Sequence, residues 1–310
     1  MKILLTGAGG FVGGYLIELL LAHGHELCSL GYGEPKGLAP KKHREIDILD
    51  KPAVKALVAE FKPDALIHLA AISNVPVCWQ NPGKAIAVNV CGMVSVLEAF
   101  GSACPGGTFL SIGSSDAYGL AAKVGRPLTE EDVCQPQNPY AISKLCAEQL
   151  ALQLGKRYGV KVIHTRSFNH FGPGQALGFV VSDFASQVAE IEAGKKAPVL
   201  SVGDLSAARD FTYVTDVVAA YAALLEGEAP GGAYNICSGK AIAVQSVLEG
   251  LLKLSKVQVE VRKDPARLRP SEVPFFVGDN TKLKRAVAWS PQVPFAEGLY
   301  KTLEYWRNRN

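Results

Sequence analysis

Residues 6–14 read TGAGGFVGG, which places Gly7, Gly10 and Gly13 three residues apart. Before them KILLT (2–6) has the character of a short buried strand. After them, from about Phe11 to His23, the pattern is helical. Glycines at such a junction permit a tight turn and let backbone N–H groups approach a pyrophosphate at the helix N-terminus. A glycine triplet alone is weak evidence, and a Gly-rich turn without a ligand would look the same. Between a first strand and a first helix it points to a dinucleotide held by Gly7, Gly10, Phe11 and Val12.

The pattern continues outward from this turn. HELCSL (25–30), REIDILD (44–50), ALIHLAA (65–71) and GTFLSIGSS (107–115) read as further strands, and residues 82–100 and 138–159 as helices. Strands alternating with helices predict an α/β chain built on a doubly wound parallel sheet of Rossmann type. The expected dinucleotide-binding domain spans 1–165, with return segments near 210–240. Residues 166–310 mainly form a smaller C-terminal lobe. The second strand ends in Gly31 and Tyr32 rather than the acid that would bind a ribose 2′-hydroxyl of NAD. Lys36, Lys41, Lys42 and Arg44 follow, and could meet a 2′-phosphate or simply form a solvated basic loop. Both NADP(H) and NAD(H) therefore stay open.

Composition narrows the classes. The 310 residues are 48% apolar and 20% charged, as in a folded soluble protein. A net charge of +3 gives no field for nucleic acid. Seven scattered cysteines without a CxxC pair or His/Cys cluster predict reduced thiols in a cytoplasmic protein and no metal site. The run YLIELLLAHG is too short to span a bilayer, so no membrane association is expected.

Two further stretches carry chemistry. In NPYAISK (138–144), Asn138 can cap a helix, Pro139 suits its first position, and Tyr140 and Lys144 share a face. A neighbouring ammonium and a helix N-terminus both favour a phenolate, so this pair reads as a proton-transfer device. A surface Tyr–Lys pair is the plain alternative. In SIGSSDAYG (111–119), Ser114 falls at the carboxyl end of a central strand, on the edge where open α/β sheets bind ligands.

TGAGGFVG, HLAA, SSDAYG and YAISK together resemble the extended short-chain dehydrogenase/reductase family of nucleotide-sugar enzymes, over essentially the whole chain. The resemblance implies that Ser114 polarises a keto oxygen, that Tyr140 exchanges a proton with it, and that Lys144 also holds the nicotinamide ribose. It implies that Asp47 and Ile48 touch the adenine, that Leu69, Ala70 and Ala71 line the cofactor, and that Ser73 faces the sugar. RSFNH, ARDF and RPSEVP resemble the branch acting on GDP-mannose derivatives, which assigns Asn169, Arg209, Arg269 and Glu272 to the GDP-sugar. Family members often pair through the helices at 82–100 and 138–159, so a homodimer is expected. Ala141, Leu145, Ala147 and Leu150 would permit that, though a monomer core would use them too.

Dehydratases of this branch carry a glutamate where this chain has Asp116, one methylene shorter, and an arginine-rich loop where it has GYGEPKGLAP. A displacement of about 1 Å can cost ~10²-fold in rate, so the shorter acid argues against dehydration. The expectation is NAD(P)H-dependent reduction, at C4, of a GDP-linked 4-keto-6-deoxy sugar to GDP-rhamnose for polysaccharide synthesis. A 4-epimerase, a 4,6-dehydratase and a non-catalytic dinucleotide sensor are the other readings.

Overall fold

The computed structural model describes residues 1–265 and 273–310. Strands and helices alternate through the first half: β1 (Lys2–Thr6), α1 (Phe11–Ala22), β2 (Glu26–Leu30), β3 (His43–Arg44), α2 (Lys51–Phe61), β4 (Ala65–His68), α3 (Val75–Gln80), α4 (Pro82–Ile86), α5 (Met93–Ala103), β5 (Thr108–Ile112), α6 (Pro139–Tyr158) and β6 (Lys161–Ser167). Then come β7 (Asn169–Phe171), α7 (Val180–Glu192), β8 (Val199–Val202), β9 (Ala208–Tyr213), α8 (Val214–Glu226), β10 (Gly232–Ile236), β11 (Ala241–Ala243) and α9 (Val244–Leu254). The chain closes with β12 (Glu260–Lys263), β13 (Phe275–Phe276), α10 (Thr281–Ala286) and α11 (Phe295–Arg307).

Seven strands form one sheet in the order β10-β6-β5-β4-β1-β2-β3. Every pairing in it is parallel. Parallel strands covered on both faces need apolar side chains on both, and Ile3, Leu4 and Leu5 are all buried. One face packs on α1 and α8 through Leu16, Ile17, Leu20, Val217 and Leu224. The other packs on α2, α5 and α6 through Val54, Met93, Phe100 and Ala151. β10 returns late in the chain to pair with β6. A smaller four-stranded sheet is built on β9, which pairs with β7, β11 and β13. It shares a separate apolar core with α7, α9 and α11.

Three local features depart from the sequence reading. The third strand stops at Arg44 rather than running to Asp50. Asp47 instead accepts the Leu49 N–H at 2.9 Å, and Asp50 caps α2 through Ala53 N–H. The helix expected over 82–100 contains a π-helical stretch, Ala87–Gly92. There the amide of Asn89 is bonded to Ile72 and to the Ser143 hydroxyl on α6. Such inserted turns re-aim side chains inside a helix. Pro82–Ala103 is also long and apolar enough to cross a membrane, a length the sequence reading missed. Its Ala85, Met93, Leu97 and Phe100 are buried against the rest of the molecule.

Of the residues considered for pairing two copies, Ala141 and Ala147 are buried within the chain itself. Leu150 is exposed, as are Ile142 and Ile86. Alanine is too short to reach past its neighbours, so the outward face of α6 is formed by the longer side chains.

Candidate active site

One cavity of about 890 Å³ opens where the carboxyl ends of β1, β4, β5 and β6 meet the second sheet. The chain's path across the sheet reverses between β1 and β4, and a crevice at that reversal is where open α/β sheets take ligands.

The glycine turn forms one wall. Gly7 has φ +68°, and a Cβ there would lie 2.6 Å from the Ala70 nitrogen. Glycine therefore lets the turn press against Leu69–Ala71 at the end of β4. α1 starts at Phe11 with Gly10 in the cap position and no side-chain cap, so its first N–H groups are left for another acceptor. Gly10, Phe11, Val12 and Gly13 line the cavity at that helix end. An uncapped helix N-terminus over a groove walled by Leu69, Ala70 and Ala71 fits a dinucleotide diphosphate.

α6 forms the opposite wall. Asn138 accepts the Ala141 N–H at 2.8 Å and Pro139 opens the helix, as the sequence predicts. Tyr140 and Lys144 both line the cavity with Ser114. Lys144 donates to the Ile112 carbonyl at 2.8 Å. Burial pushes its ammonium down to about 8. Tyr140 is driven well above its ordinary range, by burial first and the Asp116 charge second, with the Ser114 hydroxyl opposing. The expectation that Lys144 depresses Tyr140 is thus not met. The ammonium is engaged by a strand-end carbonyl, and burial with the Asp116 charge sets the direction for Tyr140.

Asp116 also faces the cavity. Burial raises it and the Arg209 guanidinium opposes that rise. Arg209 donates to the Ala208 carbonyl at 2.8 Å and lines the cavity with Asn169 and Ser73. Asp47 and Ile48 do not line it. Ile48 is buried against Gly92, and Asp47 accepts a hydrogen bond from the Tyr32 hydroxyl at 2.9 Å, just beyond the rim. Arg269 and Glu272 lie outside the described residues.

The basic loop divides. Lys41, Lys42 and Arg44 line a different, smaller hollow with Cys28, Leu57 and Phe61. Lys42 is paired with Glu26 at 2.8 Å and Arg44 with Glu60 at 3.7 Å. β3 draws these residues to the sheet edge, away from the main cavity. Lys36 stays near α1, where a Cβ on Gly14 would lie 4.0 Å from its own Cβ.

Two wall residues, Tyr221 and Asp204, carried no signal in the sequence, and others make contacts it does not encode. Phe11 stacks on His170 with ring centroids 6.0 Å apart. Tyr221, which looks like a core residue of an apolar helix, bonds the Ser167 hydroxyl at 2.6 Å behind Tyr140. Tyr32 and Asp204 complete the rim.

The family model described as GDP-mannose 4,6 dehydratase matches residues 4–302. The chain belongs to the GDP-mannose 4,6-dehydratase family. Within this likeness, the GDP-6-deoxy-D-mannose reductase of Pseudomonas aeruginosa is 37% identical, over 99% of this chain and 98% of its own length. A UDP-glucose 4-epimerase of Mycolicibacterium smegmatis is 30% identical, over 100% of each. The structure of RMD from Pseudomonas aeruginosa complexed with NADPH matches with a TM-score of 0.90 and 35% identity, covering 100% of this chain and 99% of that one. The resemblance read from TGAGGFVG, HLAA, SSDAYG and YAISK is borne out, and so is the Rossmann-type sheet. Relatives of the GDP-mannose 4,6-dehydratase family fold thus differ in both reaction and sugar nucleotide, and the site must decide between them.

Proposed function

We propose that the protein is an NAD(P)H-dependent oxidoreductase that reduces the C4 keto group of GDP-4-keto-6-deoxy-D-mannose, giving GDP-D-rhamnose. The observation that carries this is the end-to-end likeness, at 37% identity, to a GDP-6-deoxy-D-mannose reductase. The cavity chemistry supports the same direction.

The uncapped start of α1, with Gly7, Gly10, Phe11 and Val12, would hold the diphosphate of the cofactor, and Leu69–Ala71 its flank. Lys144 would hold the nicotinamide ribose. Reduced nicotinamide, when bound, supplies the hydride. Ser114 then donates a hydrogen bond to O4 as negative charge builds there. Tyr140 gives its proton to that oxygen. A proton donor must hold its proton until the oxygen becomes basic, and the burial that raises Tyr140 keeps it protonated at neutral pH. Asn169 and Arg209, with Ser73 at the rim, would receive the GDP-sugar, and Asp116 would form part of the sugar pocket without acting as a base. The expected boundary at 165 falls inside β6, which runs to Ser167; the segment after it, apart from its return to the sheet, is the nucleotide-sugar-binding lobe in this reading.

Seven free cysteines suit a reducing cytoplasm. Exposed Ile86, Ile142 and Leu150 give two copies an apolar face to share as a homodimer. The test is incubation with GDP-4-keto-6-deoxy-D-mannose and NADPH or NADH. Loss of reduced-cofactor absorbance, one equivalent per keto sugar, supports the proposal, and no loss with either cofactor overturns it. Tyr140→Phe should lower turnover by at least about 10²-fold while cofactor affinity changes less than about threefold. An active Tyr140→Phe enzyme removes the assigned donor.

A further inference from the structure

We propose that His23, His25 and Glu226 form a site for a divalent transition metal ion of the zinc type, separate from the site of the reaction: none of the three lines the main cavity. α1 ends at Ala22, and His23 takes the cap position. Gly24, at φ +79°, turns the chain, with His25 N–H returning to the Leu20 carbonyl at 3.1 Å. This left-handed turn puts two imidazoles side by side, their centroids 6.3 Å apart. Glu226 is the last residue of α8, which packs along α1. His23 Nδ1 and His25 Nε2 both lie 2.8 Å from the same oxygen, Glu226 Oε1. All three potential ligand atoms fall within 4.8 Å of one another.

Two physical arguments favour a cation here. α1 and α8 both end at this point, so the partial negative charges of two helix C-termini converge on it. The donor set of two imidazoles and one carboxylate suits zinc rather than calcium or magnesium, which prefer all-oxygen shells. Bond lengths near ~2.0–2.1 Å set tetrahedral ligands about 3.3 Å apart, so each imidazole need back away from Glu226 by only about half an ångström. Water would complete the shell. His25 Nδ1 lies 3.3 Å from the N-terminal nitrogen, a contact it must reverse or release when Nε2 binds the ion, because Nδ1 then carries the ring proton. No sequence signal announced the site: the carboxylate is 201 residues from His25 and arrives only through the packing of α8 on α1.

Such an ion would clamp the C-terminal ends of α1 and α8 and raise the thermal midpoint. The test is titration of the whole protein with Co²⁺, then Zn²⁺. The expected result is one equivalent of tetrahedral Co²⁺ with visible ligand-field bands and no thiolate charge-transfer band, displaced by Zn²⁺. His23→Ala and Glu226→Gln should each weaken Zn²⁺ binding at least about tenfold. Ser replacements of the exposed Cys91 and Cys146 should leave it unchanged. His23 is exposed, so its alanine variant should fold and turn over substrate normally. Binding that survives in His23→Ala and Glu226→Gln, binding lost with the cysteines, or no uptake at millimolar Zn²⁺ each overturns the proposal.

Discussion

Raising the pH should switch off Lys144 before it touches Tyr140. The lysine is buried, donates to the Ile112 carbonyl, and is held down to about 8. Its charged fraction then falls from about nine-tenths at pH 7 to about one-tenth at pH 9, close to a tenfold loss. Tyr140, pushed up by burial and Asp116, stays protonated throughout. The assay is kcat/KM for the reduced cofactor from pH 6 to 10, beside NADPH affinity by nicotinamide fluorescence in Tyr140→Phe. Both should decline with a midpoint near 8, because the lysine is present in both. Flat profiles between pH 7 and 9, or a decline that vanishes in Tyr140→Phe, would refute the assignment. Stability moves the opposite way. A lysine whose folded value lies below its unfolded 10.5 costs stability while ionised, here about 3 kcal/mol. That cost disappears as pH rises from about 8 towards 10.5, so Lys144 should add stability across that window.

Glu148 on α6 grips Arg166 of β6 with bonds of 2.6 and 3.0 Å, both residues being buried. Glu148→Gln should destabilise by about 3–5 kcal/mol, lowering the thermal midpoint by on the order of 10 °C. A drop below about 2 °C would show that the pair is not the anchor of α6. Burial works against the Glu148 charge, but the Arg166 hydrogen bonds prevail and hold it below the ordinary carboxylate range. The pair's contribution is therefore present above that range and lost as pH falls through the lowered value, which acid unfolding of wild type and variant would show. Asp116→Asn should reduce the keto sugar within about threefold of wild type, since no step needs its charge; a loss of ~10²-fold in kcat would make it a participant.

The glycine turn and the start of α6 were legible because local chemistry alone determines them: Gly7 at positive φ, Asn138 as cap, Pro139 in the first turn. Cavity membership followed for most of the residues named from motifs, since those motifs sit at strand ends and every parallel strand delivers its carboxyl end to one edge. What the sequence hid depends on packing between distant segments. Lys41, Lys42 and Arg44 look like phosphate ligands until edge strand β3 carries them to another hollow. The contact of Tyr221 with Ser167 exists only because α8 packs beside β6, and the stacking of His170 on Phe11 only because β7 returns to the start of α1. The Tyr140–Lys144 spacing is helical geometry and was readable. The direction in which Tyr140 shifts depends on burial and on Asp116, which spacing does not encode.

The most direct test of the central claim follows the hydride. GDP-4-keto-6-deoxy-D-mannose should be converted with NADPH or NADH carrying deuterium at the nicotinamide C4, each face labelled in turn. One face should place a single deuterium at C4 of a GDP-linked 6-deoxy-mannose, with one equivalent of cofactor oxidised. A product without label from either face, formed with no net consumption of cofactor, would contradict the account and assign the protein to internal redox chemistry of the epimerase or dehydratase kind.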